Sequence, residues 1–174
     1  MADAGACFVC LETSPPPIQM GCACRGDAGL AHMGCLIQAA ESHAAHGSNK
    51  GWWECRTCKQ NFTGAMRSGL AEEWWMRMRD QPAENDDRLA AAGNLAAALG
   101  DQGKHTEAEQ MERELLDVQR RGLGAEHSDT LATLRDLTSR AVGSEDGVQM
   151  REPRTSSAPP DPHPDAPPAK RARR

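Results

Sequence analysis

Cysteine and histidine residues occur in four closely spaced pairs near the start of the chain. All seven cysteines lie between positions 7 and 58, together with one histidine at a matching spacing. The pairs are Cys7 with Cys10, Cys22 with Cys24, His32 with Cys35, and Cys55 with Cys58. Thiolate sulfur and imidazole nitrogen are ligands that zinc prefers, and four of them close a tetrahedral site with no open position. The eight residues therefore predict two structural zinc sites rather than a catalytic metal.

A disulfide framework is the competing interpretation of these cysteines. An odd number of cysteines would leave one thiol unpaired. The first residues, Met1-Ala-Asp-Ala-Gly-Ala, lack the basic and apolar regions of a secretory signal. We therefore expect a reducing compartment, cytoplasmic or nuclear, in which paired thiols bind metal.

The order and spacing of the ligands resemble the RING-CH finger, the RING variant of the MARCH-type ubiquitin ligases. The short pair of Cys22 and Cys24, followed by seven residues before His32, is the most specific match. A PHD finger has the same ligand order and a tryptophan two places before the seventh ligand, which Trp53 supplies here. The second pair of a PHD finger is usually wider and its gap to the histidine shorter, so the PHD finger ranks second.

The resemblance to RING-CH fingers implies a cross-brace, in which the first and third pairs share one zinc ion and the second and fourth pairs share the other. One ion would be bound by Cys7, Cys10, His32 and Cys35, and the second by Cys22, Cys24, Cys55 and Cys58. A finger of this size has too few large apolar side chains to fold without such cross-links.

The same resemblance implies a surface for a ubiquitin-conjugating enzyme. In the family, an aliphatic residue beside the first ligand pair contacts that enzyme, and Val9 stands there. The residue after the last ligand often stabilises the bound ubiquitin, and Lys59 stands there. The tryptophan that the family usually has four places after the sixth ligand is Ala39 in this chain. Such a ligase has no catalytic side chain of its own, because it positions the enzyme's thioester for attack by a substrate lysine.

Local patterns place the third ligand pair on a helix. Good helix formers surround His32 and Cys35, which predicts that both lie at the start of a short helix and on one face of it. His43 and His46 repeat the same spacing, but eight ligands already fill two sites. We therefore expect neither of these two histidines to bind metal.

Tryptophan pairs predict how the finger builds a core. Leu70, Trp74 and Met78 recur every four residues, which predicts an amphipathic helix that packs on the finger and ends near residue 82. Trp53 is expected in the core of the finger, whereas the sequence leaves the position of Trp52 open, because adjacent side chains in an extended segment face opposite ways.

An internal repeat follows the finger, in a segment rich in Ala, Leu and Glu and free of cysteine. Leu89-Ala-Ala-Ala-Gly-Asn-Leu95 recurs as Leu131-Ala-Thr-Leu-Arg-Asp-Leu137, at an offset of 42 residues. Repeats of this period are typical of helical arrays. The pattern predicts a helix at 86–99, a turn at 100–103 and a second helix at 104–121.

This segment resembles the tetratricopeptide repeats of kinesin light chain type. Leu95, Leu99 and Ala108 stand where that family places packing residues, whereas Glu112 stands where it has an aromatic residue. The array contains one complete hairpin and the first helix of a second. The resemblance implies a protein or peptide partner bound through residues 86–137. The alternative is a helical extension without a binding role, because one hairpin offers little concave surface.

Together these patterns predict a small α+β zinc-braced finger with two zinc ions in a cross-brace at 1–82, an all-α helical hairpin repeat at 83–142 and a disordered Pro-rich tail at 143–174. The tail ends in Lys170-Arg-Ala-Arg-Arg174, which is compatible with a nuclear import signal. The sequence contains no apolar run long enough to span a membrane, so we expect no membrane-spanning segment. The net charge of −5 argues against nucleic acid as a partner.

Two hypotheses for function follow. The first is a RING-CH-type ubiquitin-protein ligase that positions a conjugating enzyme while the helical repeat contacts a protein partner. The second is a non-catalytic zinc-finger scaffold or a PHD-like interaction module. Both need the same metal ligands, so the transfer of ubiquitin is the measurement that separates them.

Overall fold

The computed structural model describes residues 5–145, which form a helix-rich chain with one small sheet. Within this range the elements are β1 (Ile18–Gln19), β2 (Leu30–Ala31), α1 (Met33–Ala44), α2 (Gly64–Met78), α3 (Asp86–Asp101), α4 (His105–Gly122) and α5 (Ser128–Glu145), with 3-10 turns at Gly26–Gly29 and Asn49–Trp52. The two strands pair antiparallel, with Ile18 opposite Ala31 and Gln19 opposite Leu30. No helix in this range is long and apolar enough to cross a membrane.

Three tryptophan rings form the centre of the finger's core. Trp74 on α2 is 1% exposed, and its ring stacks on those of Trp52 and Trp53 with centroid separations of 5.9 and 5.5 Å. Trp52 is buried, whereas Trp53 is half-buried against the same core. The segment Asn49–Trp52 is a 3-10 turn rather than an extended strand, so both neighbouring indoles reach one ring. Stacked pairs of this kind contribute about 0.5–1.5 kcal/mol beyond their burial.

The predicted amphipathic helix is α2, which begins at Gly64, well before the apolar pattern. Leu70 and Trp74 are fully buried, and Met78 packs against the same core. Just before the helix, the Thr63 hydroxyl donates to the carbonyl of Gly21 at 2.9 Å. Gly21 has a φ of +71°, and a Cβ there would lie 2.1 Å from the Thr63 oxygen. This close approach ties the start of α2 to the loop that carries the second cysteine pair.

The predicted helical hairpin is confirmed as α3 and α4. The Asn85 carboxamide oxygen accepts a hydrogen bond from the Arg88 backbone N–H at 2.9 Å and caps the start of α3. Two aspartates in the first turn also stabilise the start of α3, because their negative charges interact favourably with the helix dipole. In the turn, Gly103 has a φ of +77°, which glycine adopts without strain. Helix α3 ends at Asp101 and α4 begins at His105, close to the predicted bounds.

Helix α2 contributes to two cores. One face packs on the finger, and the other carries Ala71 and Trp75, which pack against the leucine and alanine side chains of α3. The Arg88 guanidinium lies 5.9 Å from the centroid of the Trp75 ring, a cation–π geometry. Arg67 on α2 pairs with Asp101 on α3 at 2.5 Å. The finger and the repeat are therefore joined through packed side chains.

A buried ion pair replaces the aromatic residue that the repeat family has at position 112. Glu112 is 4% exposed and accepts hydrogen bonds from Arg140 on α5, at 2.7 Å from Nη2 and at 3.0 and 3.1 Å from Nε. Gly100 on α3 makes room for this guanidinium, since a Cβ there would lie 1.9 Å from Arg140 Nη1. The bidentate pair thus fixes α5 against α4 and over the end of α3.

Replacing Arg140 with alanine should destabilise the helical repeat by about 3 kcal/mol, because the Glu112 carboxylate would be left buried without a partner. The double variant Glu112→Met with Arg140→Leu should recover most of that loss, since it buries no charge. Urea unfolding followed by far-UV circular dichroism measures both, with Arg135→Ala on the exposed face of α5 as the control. An Arg140→Ala variant as stable as the parent would show that the ion pair does not hold α5.

Helix α5 continues to Glu145, past the position at which the tail was predicted to begin. The remainder of the predicted tail, with its prolines and the basic segment that begins at Lys170, lies outside the described residues.

Candidate metal centres

Two clusters of cysteine and histidine side chains come together in the finger. In each cluster, the four atoms that could bind a metal all lie within 4.8 Å of one another. The first and third ligand pairs converge in one cluster, and the second and fourth pairs converge in the other. The first cluster is Cys7, Cys10, His32 and Cys35, and the second is Cys22, Cys24, Cys55 and Cys58.

The first and last pairs lie in two turns of the same construction. In the first turn the Leu11 N–H donates to the Cys7 carbonyl at 2.8 Å, and in the last turn the Lys59 N–H donates to the Cys55 carbonyl at 2.9 Å. Both donor residues have a positive φ, 65° for Leu11 and 59° for Lys59. Each turn therefore folds back on its first cysteine, which brings the two thiols of the pair to one side.

The other two pairs are positioned by the sheet and by α1. Cys22 and Cys24 lie in the loop after β1. His32 follows β2 and is the residue before α1, whereas Cys35 lies in the first turn of that helix. This confirms the prediction that His32 and Cys35 lie at the start of a helix, where their spacing directs both side chains to one side.

Distances within the clusters match a tetrahedral zinc site. A tetrahedron with zinc–sulfur bonds of about 2.3 Å has sulfur–sulfur edges of about 3.8 Å, and its sulfur–nitrogen edges are slightly shorter. Cys24 Sγ lies 3.8 Å from Cys55 Sγ. His32 Nδ1 lies 3.3 Å from Cys10 Sγ and 3.7 Å from Cys35 Sγ. The donor atoms and their separations therefore fit zinc in both clusters.

A hydrogen bond selects the imidazole nitrogen that faces the first cluster. His32 Nε2 lies 2.5 Å from the carbonyl oxygen of Pro15. A carbonyl only accepts, so Nε2 carries the proton and donates. Nδ1 then keeps its lone pair and points toward the sulfur atoms. A ligating histidine that is oriented through its other nitrogen is common in zinc sites. No sequence pattern indicates that the proline-rich loop supplies this partner.

The thiols of the first cluster differ in acidity. Burial raises the pKa of Cys7, but the backbone N–H groups of Cys10, His32 and Val9 outweigh burial and lower it to about 6. Desolvation, together with the neighbouring sulfur atoms of Cys10 and Cys7, raises the pKa of Cys35 to about 11. One thiolate therefore forms readily near neutral pH. Its negative charge disfavours ionisation of a second thiol beside it until a cation is bound.

The second cluster likewise contains both a thiol with a lowered pKa and a thiol with a raised pKa. The Gln60 backbone N–H lowers the pKa of Cys58 to about 6, against desolvation that raises it. Desolvation and the neighbouring thiols, that of Cys22 first among them, together raise the pKa of Cys24 to about 12. A divalent metal would favour the thiolate form of all these groups, because ligands bind it deprotonated.

His43 on α1 and His46 in the turn that follows it lie outside both clusters. His46 Nδ1 lies 2.6 Å from the Ser42 carbonyl oxygen. Desolvation lowers the pKa of His43, and the positive charge of Arg56 adds to this effect. That neither histidine binds metal stays a prediction.

An apolar groove, here named the finger groove, opens between the first turn, α1 and the last turn. Its volume is about 210 Å³, and Val9, Phe8, Leu36 and Ala39 line it, with Arg56 at its edge. Val9 and Phe8 are 45% and 47% exposed. Val9 was predicted to contact a partner, whereas Phe8 was not, although two apolar residues enclosed between ligands in a tight turn have little freedom to become buried. Lys59 is exposed and does not line the groove.

A second groove, here named the repeat groove, lies along α3, α4 and the start of α5. Its volume is about 570 Å³, and its lining includes Leu89 on α3, Leu115 and Gln119 on α4, and Asp129 on α5. Trp53 from the finger also lines it. Sequence patterns could not show this contribution, because it depends on how α2 docks the finger against the repeat.

The helical segment matches a known repeat family. A tetratricopeptide repeat family model matches residues 88–129, which covers α3, α4 and the start of α5. No curated protein and no solved structure shows a significant match to the chain. The chain therefore combines a tetratricopeptide repeat with two clusters that could each hold a metal ion, an arrangement typical of a metal-binding module for protein interaction.

Proposed function

We propose that this protein is a RING-CH-type ubiquitin-protein ligase, in which two zinc ions brace the finger, the finger groove binds a ubiquitin-conjugating enzyme and the repeat holds a protein partner. The observation that carries the proposal is the finger groove, since exposed apolar residues line a depression between the two metal-binding clusters. Zinc would be held by the eight residues of those clusters and would act only as a cross-link. No covalent intermediate on the ligase is required.

The rigid presentation of Val9 and Phe8 supports an interface role. Both lie between Cys7, which is fully buried, and Cys10, whose sulfur lies beside His32. Exposed apolar side chains that line a concave surface typically mark a protein contact. Leu36 is buried beneath them and gives the groove an apolar floor.

A basic edge beside the groove supports contact with a second protein. Arg56 lines the groove, and the charges of Arg56 and Lys59 both lower the pKa of His43, so the three groups lie near one another. Lys59 is held by the hydrogen bond from its N–H to the Cys55 carbonyl and directs its side chain into solvent. In this proposal Lys59 contacts the ubiquitin that the conjugating enzyme carries.

Replacing Val9 with arginine should abolish ubiquitin transfer and leave both zinc ions bound, because a charge would then have to be desolvated in an apolar contact. Autoubiquitination with a panel of conjugating enzymes measures transfer, and metal analysis measures zinc. Leu11→Arg is the matched control, since Leu11 is an exposed apolar residue of the same turn that does not line the groove. Lys59→Ala should slow transfer with less effect on enzyme binding.

A non-catalytic scaffold is the second candidate, and Ala39 favours it. This small residue lines the finger groove at the position where the resembled family usually has tryptophan. A wild-type protein that binds two zinc ions and a protein partner, but transfers no ubiquitin with any conjugating enzyme, would replace the ligase proposal with the scaffold.

A further inference from the structure

The repeat groove is a composite of the finger and the repeat. Trp53 lines it from the finger, and Leu89, Leu115 and Leu123 line it from α3, α4 and the residues after α4. A volume of about 570 Å³ lies in the range of ligand-binding clefts. Leu123 is 38% exposed and Trp53 is half-buried, so apolar surface remains uncovered there.

An unpartnered amide lies in this groove. Gln119 on α4 is 5% exposed, and its Oε1 receives no hydrogen bond from any residue that the structure describes. A buried carbonyl oxygen without a donor costs about 1–3 kcal/mol, so such atoms are rare in folded proteins. Oε1 itself is shielded from solvent, but the soft terminal torsion of the amide lets the oxygen turn toward the groove. A ligand that brings an N–H group to it there would remove this cost.

The charged side chains that line the groove are all acidic. Asp86 lies in the first turn of α3 and Asp129 in the first turn of α5, and both are exposed. Among the described residues, Asp86 forms no ion pair, and the contact of Asp129 with His127 at 3.8 Å carries charge only when that imidazole is protonated. No lysine or arginine lines the groove.

We infer that the repeat groove binds a peptide segment of another protein in which a lysine or arginine neighbours an apolar residue. The basic side chain pairs with Asp86 and Asp129, the apolar one packs on Trp53 and Leu115, and a main-chain N–H of the peptide donates to Gln119 Oε1. The inference rests on the proposed function only in assigning the repeat to partner binding. Charge complementarity decides the class of partner, because a peptide rich in aspartate and glutamate would be repelled from both carboxylates.

The test selects peptides on the zinc-loaded full-length protein from a displayed library of random segments about twelve residues long. Peptides with a lysine or arginine next to an apolar residue should be enriched, and fluorescence anisotropy should show binding that weakens with salt. Enrichment of acidic peptides would overturn the inference.

Variants of the groove locate the binding. Asp86→Asn with Asp129→Asn should weaken binding of an enriched peptide about tenfold, whereas Asp117→Asn, an exposed site on α4 outside the groove, should not. Gln119→Met should weaken binding several-fold and leave the unfolding midpoint unchanged or higher, because it removes an unpaired polar atom. Gln110→Met on the same helix is its control. Equal binding by all four variants would overturn the inference.

The basic end of this chain is a competing occupant. If it filled the groove, changing Lys170, Arg171, Arg173 and Arg174 to glutamine in the full chain would raise peptide affinity about tenfold or more. That result would overturn the assignment to a separate protein, whereas unchanged affinity supports it. Val9→Arg should leave peptide affinity unchanged, so failure of ubiquitin transfer and failure of this groove are separate results.

Discussion

Removal of zinc should unfold the finger and loosen the repeat. The purified protein should contain two zinc ions per chain, and a strong chelator should abolish the tertiary near-UV signal of the tryptophans and much of the helical signal. Each structural zinc can contribute about 10–16 kcal/mol at neutral pH, which is as large as the whole stability of a typical domain. Because α2 packs on both cores, unfolding of α2 also exposes the face of α3 against which Trp75 packs.

Metal analysis and circular dichroism before and after chelation measure this effect, and addition of zinc to the chelated protein is the control for reversibility. A metal ratio near one, or an apo protein with unchanged helical content, would contradict the two-site proposal. Retention of the α3–α4 helices after complete loss of the tryptophan signal would show instead that the repeat folds without α2.

Replacing His32 with alanine should remove one of the two zinc ions and unfold the first cluster. In the proposed site the His32 side chain would supply the fourth donor through Nδ1, and its loss would leave Cys7, Cys10 and Cys35 with an incomplete tetrahedron. Metal analysis should return a ratio near one, with a lower thermal midpoint of the finger. His32→Cys should keep more zinc than His32→Ala, because a thiolate can take the same position.

The double variant His43→Ala with His46→Ala is the matched control for His32. His43 lies on α1 and His46 lies in the turn that follows it, and neither belongs to a cluster. The control should keep two zinc ions and the parent's thermal midpoint. If it loses as much metal as His32→Ala, the ligand set of the first cluster is wrong.

The features that the sequence predicted well are those that depend on local spacing. Ligand pairs such as Cys55 and Cys58 need only one turn to converge, and the period of Leu70, Trp74 and Met78 needs only one helix. The four pairs come together in the two groups that the resemblance implied. That each group holds a zinc ion in a cross-brace stays a prediction.

The features that it missed depend on which elements meet. The sequence predicts Trp53 in the core and leaves the position of Trp52 open, whereas a 3-10 turn directs both indoles to Trp74. Glu112 looked like a defect of the repeat, and only its contact with Arg140, twenty-eight positions away, gives it a partner. Such pairs leave no periodic signal, because the partner is chosen by tertiary packing rather than by spacing.

The double role of α2 has a consequence for geometry. Two binding surfaces joined by a flexible tether sample many separations, and their effective concentration falls as the tether lengthens. Here one helix, α2, rising about 1.5 Å per residue, packs into the cores of both the finger and the repeat, and it fixes the distance between them. Two molecules held at the finger groove and the repeat groove would face each other across one set gap. The distance between the two grooves would then decide which lysine of a bound partner receives ubiquitin. A partner too short to span that distance would be bound yet left unmodified.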